Sequence, residues 1–341
     1  MSAKADRLAW FLTPAGRRFA RATVFIGGAG GFLTFYLPNT LLIDKYKNVT
    51  QLYRNGLPIA ISPKVKSLVE EVMNDLGKSA AERKLISVYT AYGFDLFRAG
   101  STMVSTGGVV GVPHNFKYSE QEEFDHTGIT LNNQPVAWSS AKGDSLMKSL
   151  ILSDEAKKFA LAREFVHLDS GEPFVFGAVT AGVVGMGYTI ASGLNRNQQF
   201  YARPRGLRVI MYGLVSLFSY GMWVFGRDMG TNLYEAEADK TVADLGEKYA
   251  QGGLEFYEKV LQRNVALRSL MGTTGEKLYT AYGNDQMLLR TKHIPFTLRR
   301  DFFKQRLNDY RNSHKTSQPQ ADTLPESVPE TLPMLEGKKV P

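Results

Sequence analysis

The chain contains no cysteine. Disulfides, Cys-ligated zinc and thiol catalysis are therefore excluded, while the redox compartment stays open. It also lacks a glycine-rich phosphate loop, a dinucleotide fingerprint and a nucleophile elbow, so the commonest nucleotide and acyl-transfer chemistries have no foothold. Charge of one sign is short: 33 acids stand against 41 Lys and Arg, a net of +8. The mean hydropathy of −0.21 lacks the bias of a chain that is apolar throughout. That average conceals three long uncharged runs, and these are what the sequence does have.

The runs cover residues 22–43, 174–194 and 209–225. At 1.5 Å per residue, about 20 helical residues cross the roughly 30 Å of a bilayer's hydrocarbon core. Each run is therefore read as a transmembrane helix. Gly27 and Gly31 in the first, and Ala178, Gly182 and Gly185 in the second, form small-residue faces for close helix packing. Pro38 is expected to kink the far end of the first. The third is richer in aromatics, and the short link 195–208 makes the last two a hairpin.

Basic residues set the orientation. Lys4, Arg7, Arg17, Arg18 and Arg21 precede the first run, and Arg196, Arg203, Arg205 and Arg208 occupy the hairpin link. Span counting puts both clusters on one side, which the positive-inside rule makes the matrix or the cytoplasm. Segments 44–173 and 226–311 then share the opposite side; Lys45 and Lys47 oppose this mildly. The N-terminus, 1–21, does not have the form of a cleaved secretory signal. Its Arg-rich, acid-poor composition suits either mitochondrial import or simple flanking charge.

The polar segments are expected to be mostly helical with a small sheet. Residues 64–98 carry apolar side chains at helical spacing. Residues 103–112 are β-branched and Gly-rich, and Pro113 suggests an edge strand. Two strands at 129–131 and 136–138 would flank Asn132-Asn133 as a hairpin. Ser153 should cap a helix leading into the second span. After the third span, helices are expected over 232–249 and 254–270, broken by Gly252-Gly253. The Pro-, Ser- and Glu-rich stretch 312–341 reads as a disordered tail.

One motif bears on chemistry. Arg163-Glu164-Phe165-Val166-His167 has the form of H-E-x-x-H with its first histidine replaced. In the intact motif two His at i and i+4 bind zinc, and the Glu is general base. Arginine has no lone pair to give and would repel the metal. Downstream, Glu235-Ala236-Glu237-Ala238-Asp239 resembles the E-x-x-A-D segment of HtpX-like membrane metallopeptidases, and Lys292-His293-Ile294-Pro295 with Arg299 resembles that family's late His-Pro segment. That resemblance implies Glu164 at the base position, His167 and Glu235 at ligand positions and Asp239 in support. With Arg163 there, the positions read as vestigial: Arg163 would pair with Glu164, Glu235 or Asp239 across a helix contact, or all would be surface charges. Neither metal nor cofactor is expected.

Longer blocks resemble another family. LSDEAKKFALAREFVHLDS at 152–170, YAQGGLEFYEKVLQRNVALRSLMGTTGEKLYTAYG at 249–283 and KHIPFTLRRD at 292–301 closely resemble the transmembrane protein 177 family. The resemblance implies a multi-pass protein of the mitochondrial inner membrane, with its polar bulk in the intermembrane space. It implies a non-catalytic assembly factor that stabilises newly made cytochrome c oxidase subunit 2 together with that subunit's chaperone. The expected partners are these two and membrane lipid, with no nucleic acid. The expected fold is α+β and mostly helical: three transmembrane helices and a metallopeptidase-like polar domain. A membrane metallopeptidase with a residual or altered zinc site is the alternative.

Overall fold

A computed structural model describes residues 10–126, 129–131, 134–287 and 290–316. The first helix, α1 (Pro14–Tyr36), starts where Thr13 Oγ1 accepts from the Gly16 amide at 3.1 Å and Pro14 fills a first-turn position that needs no donor. It ends at Tyr36, short of the expected Ile43. Pro38 cannot supply the next helical donor, and the freed carbonyls are taken by side chains instead. Asn39 Nδ2 donates to Phe35 O at 2.9 Å and Thr40 Oγ1 to Tyr36 O at 2.7 Å. The chain turns and resumes as α2 (Ile43–Thr50).

A two-residue hairpin follows, β1 (Tyr53–Arg54) with β2 (Leu57–Pro58), then α3 (Pro63–Asp75). The single helix expected over 64–98 is two helices and a strand, with a second strand beginning at Phe97. Gly77, at φ +64°, ends the first. Ser79 and Glu82 form a reciprocal cap that starts α4 (Ala80–Leu85), and the β-branched run after it becomes β3 (Ile86–Ala91). β4 (Phe97–Gly100) and β5 (Gly108–Pro113) complete a sheet in the order β3-β5-β4, with β5 parallel to β3 and antiparallel to β4. β5 is thus the buried central strand, not an edge. Pro113 is compatible with this because it is the strand's last residue. Strands β6 (Thr130–Leu131) and β7 (Gln134–Pro135) pair two residues earlier on the return side than expected. The expected turn residues Asn132 and Asn133 lie outside the described residues.

The polar domain is built around one helix. After α5 (Ala141–Leu150), α6 (Asp154–Leu168) is capped by Ser153, whose Oγ accepts from Ala156 N at 3.1 Å. Phe159, Leu161, Phe165 and Leu168 of α6 are fully buried. Helix α6 packs against α3, the sheet and the later helices, so Lys157, Glu164 and His167 are buried with its apolar residues.

Two helices then stand out. α7 (Glu172–Asn197) and α8 (Arg205–Ala243) are long and apolar enough to cross a membrane, and the structure covers little of the apolar stretch of either. Val209 and Leu217 each leave 69% of their surface uncovered. Among the described residues the count of such helices is two, not the expected three. With α1 ending at Tyr36, its uncharged part is only 22–36, about 22 Å of helix. α1 nevertheless lies along α7, and α7 along α8. The third expected span does not stop at residue 225. α8 continues through Ala243 for about 58 Å in all, carrying Glu235 and Asp239 into the polar domain on the same rod.

Helices α9 (Glu247–Leu270), α10 (Thr273–Leu278) and α11 (Phe296–Thr316) close the domain. Gly252 and Gly253 lie inside α9 rather than breaking it. A Cβ at Gly252 would meet Glu155 O at 2.3 Å, and one at Gly253 would meet the Phe303 ring at 2.5 Å. The pair is there to let α6 and α11 approach. α11 runs past the expected tail start at Asn312; residues 317–341 lie outside the described ones.

Candidate functional site

The last turns of α6, the domain half of α8, the mouth of α7, strand β4 and the N-terminus of α11 meet at the base of the hairpin. Helical spacing puts Arg163, Glu164 and His167 near one another on α6, and Glu235 and Asp239 on one face of α8. The structure joins Arg163, Glu164, Glu235 and Asp239 directly, and His167 lies beside them with its Nδ1 3.6 Å from Glu172. Arg163 Nη1 donates to Glu164 at 3.1 Å, and its guanidinium stands 3.5 Å from Asp239 and 4.0 Å from Glu235. Arg163 therefore sits among the carboxylates that an H-E-x-x-H arrangement would offer to a metal.

The sequence missed several members. Arg98 on β4 reaches Glu164 and Glu172 at 3.0 Å each. Tyr257 of α9 donates its O–H to Asp239 at 2.9 Å. The residues of the weak His-Pro resemblance also arrive: His293 Nδ1 is 2.8 Å from Glu235, the Ile294 amide donates to Glu235 at 3.1 Å, and Arg299 Nε to Asp239 at 2.6 Å. The centre is thus a chain of guanidinium groups, Arg98, Arg163 and Arg299, alternating with Glu172, Glu164, Glu235 and Asp239. Arg98 and Tyr257 carried no signal in the sequence, and Glu172 only that of a charge at the mouth of an apolar run.

Such burial is costly unless every charge is met. Glu164 is 2% exposed. Burial would raise its carboxyl, but the guanidiniums of Arg98 and Arg163 outweigh that and hold it down to about 2. Burial pushes Tyr257 far above its ordinary range, keeping it a donor. Arg163 Nε and Arg299 Nη2 lack a hydrogen-bond acceptor although their guanidinium groups are paired elsewhere, whereas His167 has no hydrogen-bonded partner at all. It is 3% exposed, its Nδ1 is 3.6 Å from Glu172, and neither ring nitrogen has a hydrogen-bond partner. Burial, reinforced by the Arg98 cation, lowers its pKa, so the ring is neutral.

As a metal site the arrangement is poor: among the described residues no three His, Asp or Glu side chains converge as ligands, and a fixed cation lies between the carboxylates. The helix-packing residues divide. A Cβ at Gly31 would meet Thr180 at 2.8 Å and one at Gly27 would touch Val184 at 3.8 Å, so both face α7. A Cβ at Gly182 or Gly185 would meet nothing within 4 Å, and Ala178 is exposed. Gly177, against Phe32, and Gly187, against Ser219, make the close contacts instead.

Fold and site together define a class: a mostly helical membrane protein, whose hairpin of long apolar helices carries a polar domain sealed around buried ion pairs. The family follows from comparison with known proteins. The family model described as transmembrane protein 177 matches residues 66–310. The chain is 35% identical to transmembrane protein 177 of Homo sapiens, over 82% of this chain and 90% of that protein. It is 34% identical to that of Danio rerio, over 83% and 96%. This chain belongs to the transmembrane protein 177 family. No solved structure matches it.

Proposed function

We propose that the chain is a non-catalytic assembly factor of the mitochondrial inner membrane, which stabilises newly made cytochrome c oxidase subunit 2 together with its chaperone. Family membership supports the client. The observation that carries the non-catalytic half is Arg163, bonded to Glu164 at 3.1 Å and facing Asp239 at 3.5 Å. A general base must be free to take a proton and a ligand carboxylate free to bind metal. Here both kinds of carboxylate are engaged by fixed cations.

In this reading the polar domain keeps a metallopeptidase-like order of elements, motif helix, membrane hairpin, acidic helix and late His-Pro segment, with guanidinium groups in the metal's place. Helix α1 lies along the hairpin, with Gly27 and Gly31 packed on α7. The Arg clusters of the N-terminus and the link 195–208 face the matrix, and the domain faces the intermembrane space.

Removal of the protein should shorten the half-life of pulse-labelled subunit 2, and full-length chain should restore it. Unchanged turnover would refute the client. The metallopeptidase alternative is favoured by one observation, the unpartnered ring of His167 beside Glu172; metal analysis decides between the two.

A further inference from the structure

A cavity of about 360 Å³ opens beside the ion-pair centre, where the membrane helices meet the domain. Phe35 near the end of α1, Phe176 in the first turns of α7 and Arg227 just past the apolar run of α8 all line it. Their shared end of the helices is the level of lipid headgroups rather than acyl chains.

Arg227 is held by its face. Its guanidinium carbon lies 5.0 Å from the Phe35 ring, 5.1 Å from Phe176 and 5.6 Å from Trp223. Rings that hold the face leave the N–H edge to meet an anion. Arg227 Nε is buried with no acceptor, and the neighbouring acid Asp228 is taken by Arg290 at 2.6 Å. His167 lines the same cavity with both ring nitrogens unpartnered. Neutral imidazole brings one N–H to donate. The carboxylate on the wall, Glu172, is bonded to Arg98, also on the wall. What remains unmet in the cavity is therefore a cation and donors, next to aromatic surface.

We propose that this cavity binds the phosphate headgroup of an acidic phospholipid, with Arg227 as the cationic contact and His167 as a second donor. The volume admits a headgroup, and the acyl chains lie outside along the uncovered faces of α1 and α7. The proposal rests on the hairpin lying in a membrane, but not on any client or on the absence of catalysis.

The test uses full-length chain in neutral detergent, read by native mass spectrometry. Phosphatidylglycerol, phosphatidylcholine and inorganic phosphate are offered in separate arms. Phosphatidylglycerol should be retained at least about fivefold better than phosphatidylcholine, and Arg227→Gln should cut that retention about tenfold, the order of one charge-assisted contact. Arg205→Gln, at the other end of the hairpin, should leave it unchanged. Should Arg227→Gln fail to fold, Arg227→Lys decides, because it keeps the cation and loses the planar fork. Weakened retention supports the site and undiminished retention overturns it. Equal retention of the two lipids, or inorganic phosphate held as well as phosphatidylglycerol, also overturns it. Alkaline extraction of reconstituted wild type tests the membrane reading separately: release from the bilayer sinks that reading, whereas lost lipid selectivity in a chain that stays embedded sinks only the site.

Discussion

Arg163 ties α6 to α8, and its removal strands Asp239 and Glu164 with one cation fewer each. Removing one member of a buried ion pair costs about 3–5 kcal/mol, because the remaining charge stays desolvated. Arg98 and Arg299 still serve those acids, so Arg163→Ala should lose about 3 kcal/mol, read from denaturant unfolding in detergent. An unchanged midpoint would mean that solvent already screens the cluster. Acid should act in the same direction. Glu164 titrates near 4.5 when unfolded and about 2 when folded, so the unfolded chain takes its proton first. Its contribution is complete above about pH 4.5 and is lost as pH falls toward 2. His167 lies below its ordinary 6.5 in the fold, so its loss begins as pH falls through about 6.5. Stability should fall monotonically from pH 7 to pH 3; a rise on acidification would contradict both assignments. Of this centre, the α6 and α8 positions were legible, because an i, i+4 pattern fixes a helix face. Arg98 and Tyr257 were not, because they arrive from a strand and a helix whose approach is tertiary.

At the scale of elements, glycine has two uses, and sequence spacing does not separate them. Gly252 permits contact with the α6 backbone, while Gly182 has open space around it. Gly252→Ala must displace Glu155 and should cost about 2 kcal/mol. Gly182→Ala should be neutral or slightly stabilising through helix propensity. A comparable loss for both, measured by thermal unfolding, would show that Gly182 packs against something after all. The same ambiguity explains why Gly252-Gly253 read as a break and became a packing surface. α1 shows the converse. Its apolar run continues past Tyr36, and only Pro38, with Asn39 and Thr40 taking the freed carbonyls, says that the helix does not. The sheet was half legible: β5 stood out by its β-branched residues, but β3 was hidden behind a helical pattern that Gly77 and the Ser79 cap interrupt.

For the whole molecule, the hairpin was the most legible feature, since two uncharged runs with a short basic link leave few alternatives. The continuity of α8 from bilayer into domain was not, though it has the larger consequence: movement of the span would carry Glu235 and Asp239 against α6. The central claim is that guanidinium groups occupy the ground between these carboxylates that a bound metal ion would need. Elemental analysis of the purified full-length chain tests it most directly. The account predicts far less than one zinc per chain and no change with His167→Ala. One zinc per chain that disappears in His167→Ala would contradict it.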